Sequence, residues 1–159
     1  MKKLTYLILP LVLCLLAGCG AKVSQANYDY PSQVLSANYD GTYVLRVYVR
    51  SRNAAIAFTD AQRKAVKEVI FDGVKPASNG IAALQPILFD MNAERKYEDY
   101  FNAFFADNGE WTKYASLHDK RTGTTHYKRD GRQMLEVVTV SVDRAGLKAK
   151  LTADKILVP

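Results

Sequence analysis

His118 and His126, with Asp119 and Asp130 close to them in the chain, are the residues whose types best suit a metal or acid–base site. They are the only two histidines, and a hairpin pairing their segments would bring them together. Zinc usually takes three or four ligands with ordered support behind them. Lys120, Arg121, Lys128 and Arg129 surround the pair with positive charge, which repels a cation. The histidines therefore read as surface residues of a basic hairpin, and no metal is assigned. Among the serines, Ser51, Ser78, Ser116 and Ser141 all lie outside G-x-S-x-G and S-x-x-K. Ser116 and His118 share a strand face, but about 7 Å apart along the chain, too far for a hydrogen bond. Glu94, Glu98 and Asp99 suggest the paired carboxylates of a glycosidase. Such pairs normally come from different elements lining a cleft, and Arg95 beside them favours a solvated helix surface. No catalytic constellation is complete. The expectation is a protein that is not an enzyme, and the alternative is an enzyme or ligand carrier using the hairpin around His118 and His126.

The chain that must position these groups has 159 residues, a length that suits one domain. Residues 1–19 read MKKLTYLILPLVLCLLAGC, with Lys2 and Lys3 as a basic start and an apolar run of 13 residues, Leu4–Leu16. As a helix that run spans about 20 Å, short of the ~30 Å hydrocarbon core, and Pro10 weakens it further. It reads as an export signal. Its end, Leu16-Ala17-Gly18-Cys19, resembles the lipobox of bacterial lipoproteins. The resemblance implies cleavage before Cys19 and a covalent lipid on it; the alternative is an ordinary signal peptide in which Cys19 is incidental. If the lipobox is used, residues 1–18 are removed and 141 remain. Cys14 leaves with the signal and Cys19 carries lipid, so no thiol is left for a disulfide, a zinc site or a nucleophile.

Buried acyl chains contribute about 0.8 kcal/mol per CH₂, whereas a base such as Lys22 adds only about 1 kcal/mol at an anionic surface. Lipid, not charge, would then fix the location. Position 20 is Gly, and the Asp that favours inner-membrane retention in enteric lipoproteins is absent. The resemblance thus implies the outer membrane. No acidic run follows Cys19, in contrast to several surface-exposed Bacteroidetes lipoproteins, so the domain is expected to face the periplasm. Without Lys2 and Lys3 the chain carries 20 bases against 16 acids, a net charge of +4. A periplasmic domain does not ordinarily meet nucleic acid, and the bases are scattered, as on solvated faces. Lipopolysaccharide phosphate and peptidoglycan carboxylate remain chemically suitable contacts, though nothing in the spacing selects them.

Residues 19–38 read as the lipidated Cys and a flexible tether, and 39–159 as a single domain; Tyr28, Tyr30, Val34 and Leu35 could instead dock part of the tether. Thr42–Ser51 alternates as a half-wet strand, and Ala54–Phe71 has helical periodicity. That helix starts either there or at a capping box on Thr59 and Gln62. Residues 74–89 read as a loop, and Asn92–Ala106 as a second helix with Tyr97, Tyr100, Phe101, Phe104 and Phe105 within an arc of about 140°. Trp111–Leu117 reads as a strand or the approach to one, Asp130-Gly131 as a hairpin turn, and Gln133–Val142 as a central strand. Asp143 caps a last helix with Leu147 and Leu151 inward. The expected fold is α+β, order β-α-α-β-β-α, a mainly antiparallel sheet with helices on one face.

The aromatic face of the second helix reads mainly as core. A sharper reading extends Phe104, Phe105 and Trp111 past the sheet as a partner surface. The strand GTYVLRVYVRS, the helix positions Ala61, Ala65, Val66, Val69, Ile70 and Phe71, the Asp-Gly turn, and the closing Val140, Val142, Asp143, Leu147 and Leu151 resemble small lipoproteins of Bacteroidetes over most of residues 40–155. More distantly, residues 42–71 are similar to lipoprotein domains of flagellar and outer-membrane assembly. These resemblances imply envelope association and carry no catalytic residues. The expected role is a non-catalytic binding or envelope-assembly module with an envelope protein as partner.

Overall fold

β2 (Thr42–Ser51) and β6 (Gln133–Asp143) pair antiparallel over their full lengths, from Thr42 opposite Asp143 to Ser51 opposite Met134. Both are dense in β-branched residues, and their registered pairs Leu45–Val140 and Val47–Val138 are buried on one face. The computed structural model describes residues 30–157, apart from 52, 79, 119–124 and 131–132. For Ala54, Thr125–Asp130, Gln133 and Met134 it describes the backbone alone. The expected signal segment 1–18, Cys19, the expected tether up to residue 29, Asp119, Gly131 of the expected turn and the side chain of His126 lie outside the described residues.

Four shorter strands complete a six-stranded mixed sheet. β1 (Gln33–Ala37) pairs antiparallel with β2, and β3 (Lys75–Pro76) pairs parallel with β1. On the far side, β4 (Ala115–Leu117) and β5 (Thr125–Asp130) share the other edge of β6. β4 pairs Val140–Val142 and β5 pairs Gln133–Val137. The fold is α+β as expected, with β1, β3 and β5 added to the expected order. The tether expected through residue 38 does not extend that far, because Gln33–Ala37 is a sheet strand and Val34 is fully buried. The domain therefore begins before residue 39.

α1 (Ala54–Phe71) starts at Asn53, whose side chain accepts the Ala55 N–H at 2.9 Å, so the Thr59 start is not used. Thr59 instead donates its hydroxyl to the Ala55 carbonyl, one turn back. Ala57, Ala61, Ala65, Val66, Val69 and Ile70 are buried, and Phe58 is half-buried. The carbonyls of Val69 and Ile70, left over at the helix end, accept the N–H groups of Ile87 and Leu88 at 3.1 and 2.9 Å. That pins the loop 74–89 to the helix.

The expected helix Asn92–Ala106 is two pieces, α2 (Ala93–Lys96) and α3 (Glu98–Phe104), broken at Tyr97. No Gly or Pro marks the break. The two pieces serve different partners: α2 buries Ala93 and pairs Glu94 with Lys67, while α3 packs Phe101 edge-on against Phe71 at 4.7 Å. Trp111 sits in a 3-10 turn, Glu110–Lys113, ahead of β4. α4 (Arg144–Ala153) begins at Asp143, whose carboxylate accepts the Gly146 N–H at 2.8 Å, and it buries Leu147 and Leu151.

Candidate functional site

β4 and β6 bring together a pair that chain spacing does not reveal. Ser116 lies opposite Ser141 in the ladder, and the His118 N–H continues it to the Thr139 carbonyl at 3.0 Å. His118 thereby reaches across the strands, its Nδ1 standing 2.9 Å from Ser141 Oγ. The serine that meets the histidine is thus Ser141 and not Ser116. Which group donates depends on the imidazole tautomer. His118 is exposed, and no acid among the described residues orients its ring. His126 stands opposite Glu136 in the β5–β6 register. Among the described residues, no group of three or more His, Cys, Asp or Glu is placed to hold a metal ion, and no helix is long and apolar enough to cross a membrane.

The aromatic cluster divides into core and rim. Phe104 and Trp111 are 3% and 1% exposed, so neither forms the partner surface expected of them. The physical reason is that the domain satisfies both from within. Trp111 donates its Nε1–H to the Ala106 carbonyl at 2.9 Å, and the Arg63 guanidinium lies 5.2 Å from its ring centre. Phe104 stacks with Tyr100 and Tyr114 at centroid distances of 5.9 and 6.3 Å. Phe105, the third of the expected surface residues, is half-buried and remains accessible.

Phe105 and Phe101 floor a cleft of about 620 Å³ between α1 and the α2–α3 pair. Met91, 99% exposed, stands at its rim. The remaining lining is charged and of both signs. Lys67 and Glu94 meet at 2.6 Å, Arg63 reaches Asp107 at 2.7 Å, and Arg95 and Glu98 face the same space. Glu94 is thus the ion-pair partner of Lys67 across the cleft, with Glu98 lining the same space. An apolar floor with alternating charges on its walls suits an amphipathic peptide segment better than a small substrate.

A second charged cluster ties the 3-10 turn to α4. Glu110 receives Lys150 at 2.7 Å and Lys113 at 2.9 Å, while Asp154 receives Lys150 at 3.1 Å and the Tyr100 hydroxyl at 2.6 Å. Hydrogen bonds from Lys150 and Lys113 hold Glu110 down at about 2. Lys150 is raised above its ordinary value by hydrogen bonds to Glu110 and Asp154. Burial, with the bond to Asp154 behind it, raises Tyr100. A depressed carboxylate stabilises the fold above its ordinary pKa of 4.5 and ceases to do so as pH falls toward 2. The raised Lys150 and Tyr100 contribute below their ordinary values of 10.5 and 10.0, and lose that contribution as pH rises through their folded values. Unfolding free energy plotted against pH should therefore form a plateau that falls on both sides. In Tyr100→Phe the plateau should drop by about 1 kcal/mol and the alkaline fall should become shallower; an unchanged alkaline limb would remove Tyr100 from this account.

No known protein family, no characterised protein and no solved structure matches the chain.

Proposed function

We propose that this chain is a lipid-anchored, non-catalytic binding or assembly module at the periplasmic face of the outer membrane, exported by residues 1–18 and held by lipid on Cys19. The anchor rests on the Leu16-Ala17-Gly18-Cys19 motif closing a 13-residue apolar run. The observation that carries the binding role is the cleft between α1 and α2–α3, with its Phe101–Phe105 floor and charged walls. Its occupant in this reading is a segment of an envelope protein. Two measurements test it. Labelled palmitate should enter the full-length chain in cells and fail to enter Cys19→Ser. A photo-crosslinking residue replacing Phe105 should trap one envelope protein in near-stoichiometric yield, and one replacing Ile56, exposed in the first turn of α1, should not. Equal trapping at both positions, or none at Phe105, refutes the binding role.

The second reading, an enzyme or carrier acting at the β4–β6 edge and its hairpin, has one observation in its favour, the 2.9 Å approach of His118 Nδ1 to Ser141 Oγ. Under it, His118→Ala would abolish turnover or ligand binding and Phe105→Ala would leave both intact. The module reading expects the reverse pattern for partner capture.

A further inference from the structure

Among the described residues four large hydrophobic side chains are exposed, and two of them, Tyr39 and Phe89, flank the start of α4, at the end of the sheet where β2 begins and β6 finishes. Tyr39, 113% exposed, lies in the β1–β2 turn. That turn is pressed onto the start of α4: Gly41 takes φ +85°, and a β-carbon there would stand 2.7 Å from Ala145 Cβ. Phe89, 75% exposed, and Met91 belong to the loop after Leu88. Arg144, the first residue of α4, donates from Nη2 to the Gln85 carbonyl at 3.2 Å and so fixes this loop beside the helix.

Between loop and helix lies a cleft of about 430 Å³. Ile87, Phe89 and Leu157 give it an apolar wall, and Arg144 and Lys148, one turn apart on α4, give it a cationic one. No carboxylate is among its lining residues. Lys148 makes no ion pair among the described residues. Asp90, the one acid at the loop tip, has Oδ1 occupied by the Asn92 N–H at 2.9 Å.

Exposed aromatic side chains next to bases whose cleft contains no carboxylate match the interfacial layer of an anionic bilayer, where phosphates meet the first acyl carbons. The mixed-charge cleft on the α1 side lacks this match. Reach is sufficient as well. Tyr30 packs 5.5 Å from Tyr48, and Tyr48 is six residues, about 20 Å, up β2 from Thr42. The eleven residues from Cys19 to Tyr30 extend to at most about 36–40 Å, so an anchor on Cys19 permits this end of the domain to rest on the same leaflet.

We infer that the end of the domain bearing Tyr39 and Phe89 docks onto the anionic phospholipid surface that holds the anchor, with Arg144 and Lys148 meeting headgroup phosphates. This rests on the lipid-anchored reading above. It makes the domain a membrane-oriented one, with its α1–α3 cleft set at a fixed height above the bilayer.

The test uses the full-length lipidated chain in vesicles of phosphatidylethanolamine, with or without phosphatidylglycerol, carrying bromine on the acyl chains. The only tryptophan, Trp111, is buried and supplies the background of the unmutated chain. In Phe89→Trp the new indole should shift to shorter wavelength and lose about half of its emission or more to bromine quenching, as expected at interfacial depth. Ile56→Trp should remain unquenched. Removing phosphatidylglycerol, or adding Lys148→Glu, should restore the emission. An unquenched Phe89→Trp indole on chain that mass spectrometry shows to be lipidated overturns the docking inference alone. Quenching indifferent to phosphatidylglycerol also overturns it, as does protection seen only in native envelopes, which would assign the surface to a protein. Chain without lipid on Cys19 overturns the anchored reading and this inference together.

Discussion

Trp111→Ala should lower the unfolding free energy by about 3–5 kcal/mol, the usual cost of truncating a large buried aromatic. For a domain of this size, with an unfolding entropy near 2.1 cal/mol/K per residue, that is a fall of about 10–18 °C in thermal midpoint. The loss has three sources. The indole is 1% exposed and its removal leaves a cavity beside α1. The Ala106 carbonyl loses the Nε1–H donor it holds at 2.9 Å. Arg63 loses the ring beneath its guanidinium, keeping only Asp107. Trp111→Phe separates these contributions, since it retains most of the volume and forfeits the hydrogen bond; it should cost about 1–2 kcal/mol. Urea melts of the three proteins decide the matter. A Trp111→Ala chain as stable as the original that had lost its envelope crosslink would return Trp111 to the partner surface.

This prediction turns on a distinction that helical periodicity leaves open. The arc of Tyr97, Tyr100, Phe101, Phe104 and Phe105 announces an apolar face, but its angular width does not tell how far a neighbouring element covers it. Cover arrives from distant segments. Phe71 at the end of α1 meets Phe101, and Tyr114 after the 3-10 turn meets Phe104. Phe105, one position farther round, is left half-open on the cleft. Of Phe104, Phe105 and Trp111 only Phe105 lines the accessible cleft, and Arg63, Lys67 and Met91, which line it too, carry no local signal.

The same contrast runs through the fold. β2 and β6 are readable because alternation and β-branching agree with their position at the centre of the sheet, where pairing on both sides rewards both. Asp143 is readable as a cap because its carboxylate acts within its own neighbourhood, on Gly146. β1 is not, since a short strand with one fully buried residue, Val34, in Gln-Val-Leu-Ser-Ala resembles a polar linker. The break at Tyr97, which no Gly or Pro marks, and the approach of His118 to Ser141, 23 residues along the chain, lie beyond a local reading. Local propensity contains neither.

Gly109→Ala should be the more damaging of two glycine substitutions that sequence would rank alike, and the reason is steric. Gly109 has φ −65° and ψ 176°, a conformation open to any residue. Its missing side chain matters instead: a β-carbon would press into the Phe104 carbonyl and stand 2.9 Å and 3.1 Å from the carbonyls of Ala106 and Ala103. These belong to the last turn of α3 and the residues just after it, and backbone cannot swing aside as a flexible side chain does. Ala106 is also the carbonyl that accepts the Trp111 indole and the Gly109 N–H, so relief of the collision moves the anchor of the buried tryptophan. The expected cost is about 2–4 kcal/mol, overpacking plus part of the Trp111 contribution. Gly80 offers the opposite case. Its φ is +93°, and a β-carbon there would have nothing within 4 Å, so Gly80→Ala bears only left-handed backbone strain of about 1–2 kcal/mol. Equilibrium denaturation followed by tryptophan emission reads both. Gly109→Ala should lower the midpoint more and shift native-state emission to longer wavelength, whereas Gly80→Ala should leave the native spectrum unchanged. Equal midpoints with identical native spectra would mean that the α3 end yields without disturbing Trp111, and that the turn is looser than its three converging carbonyls imply.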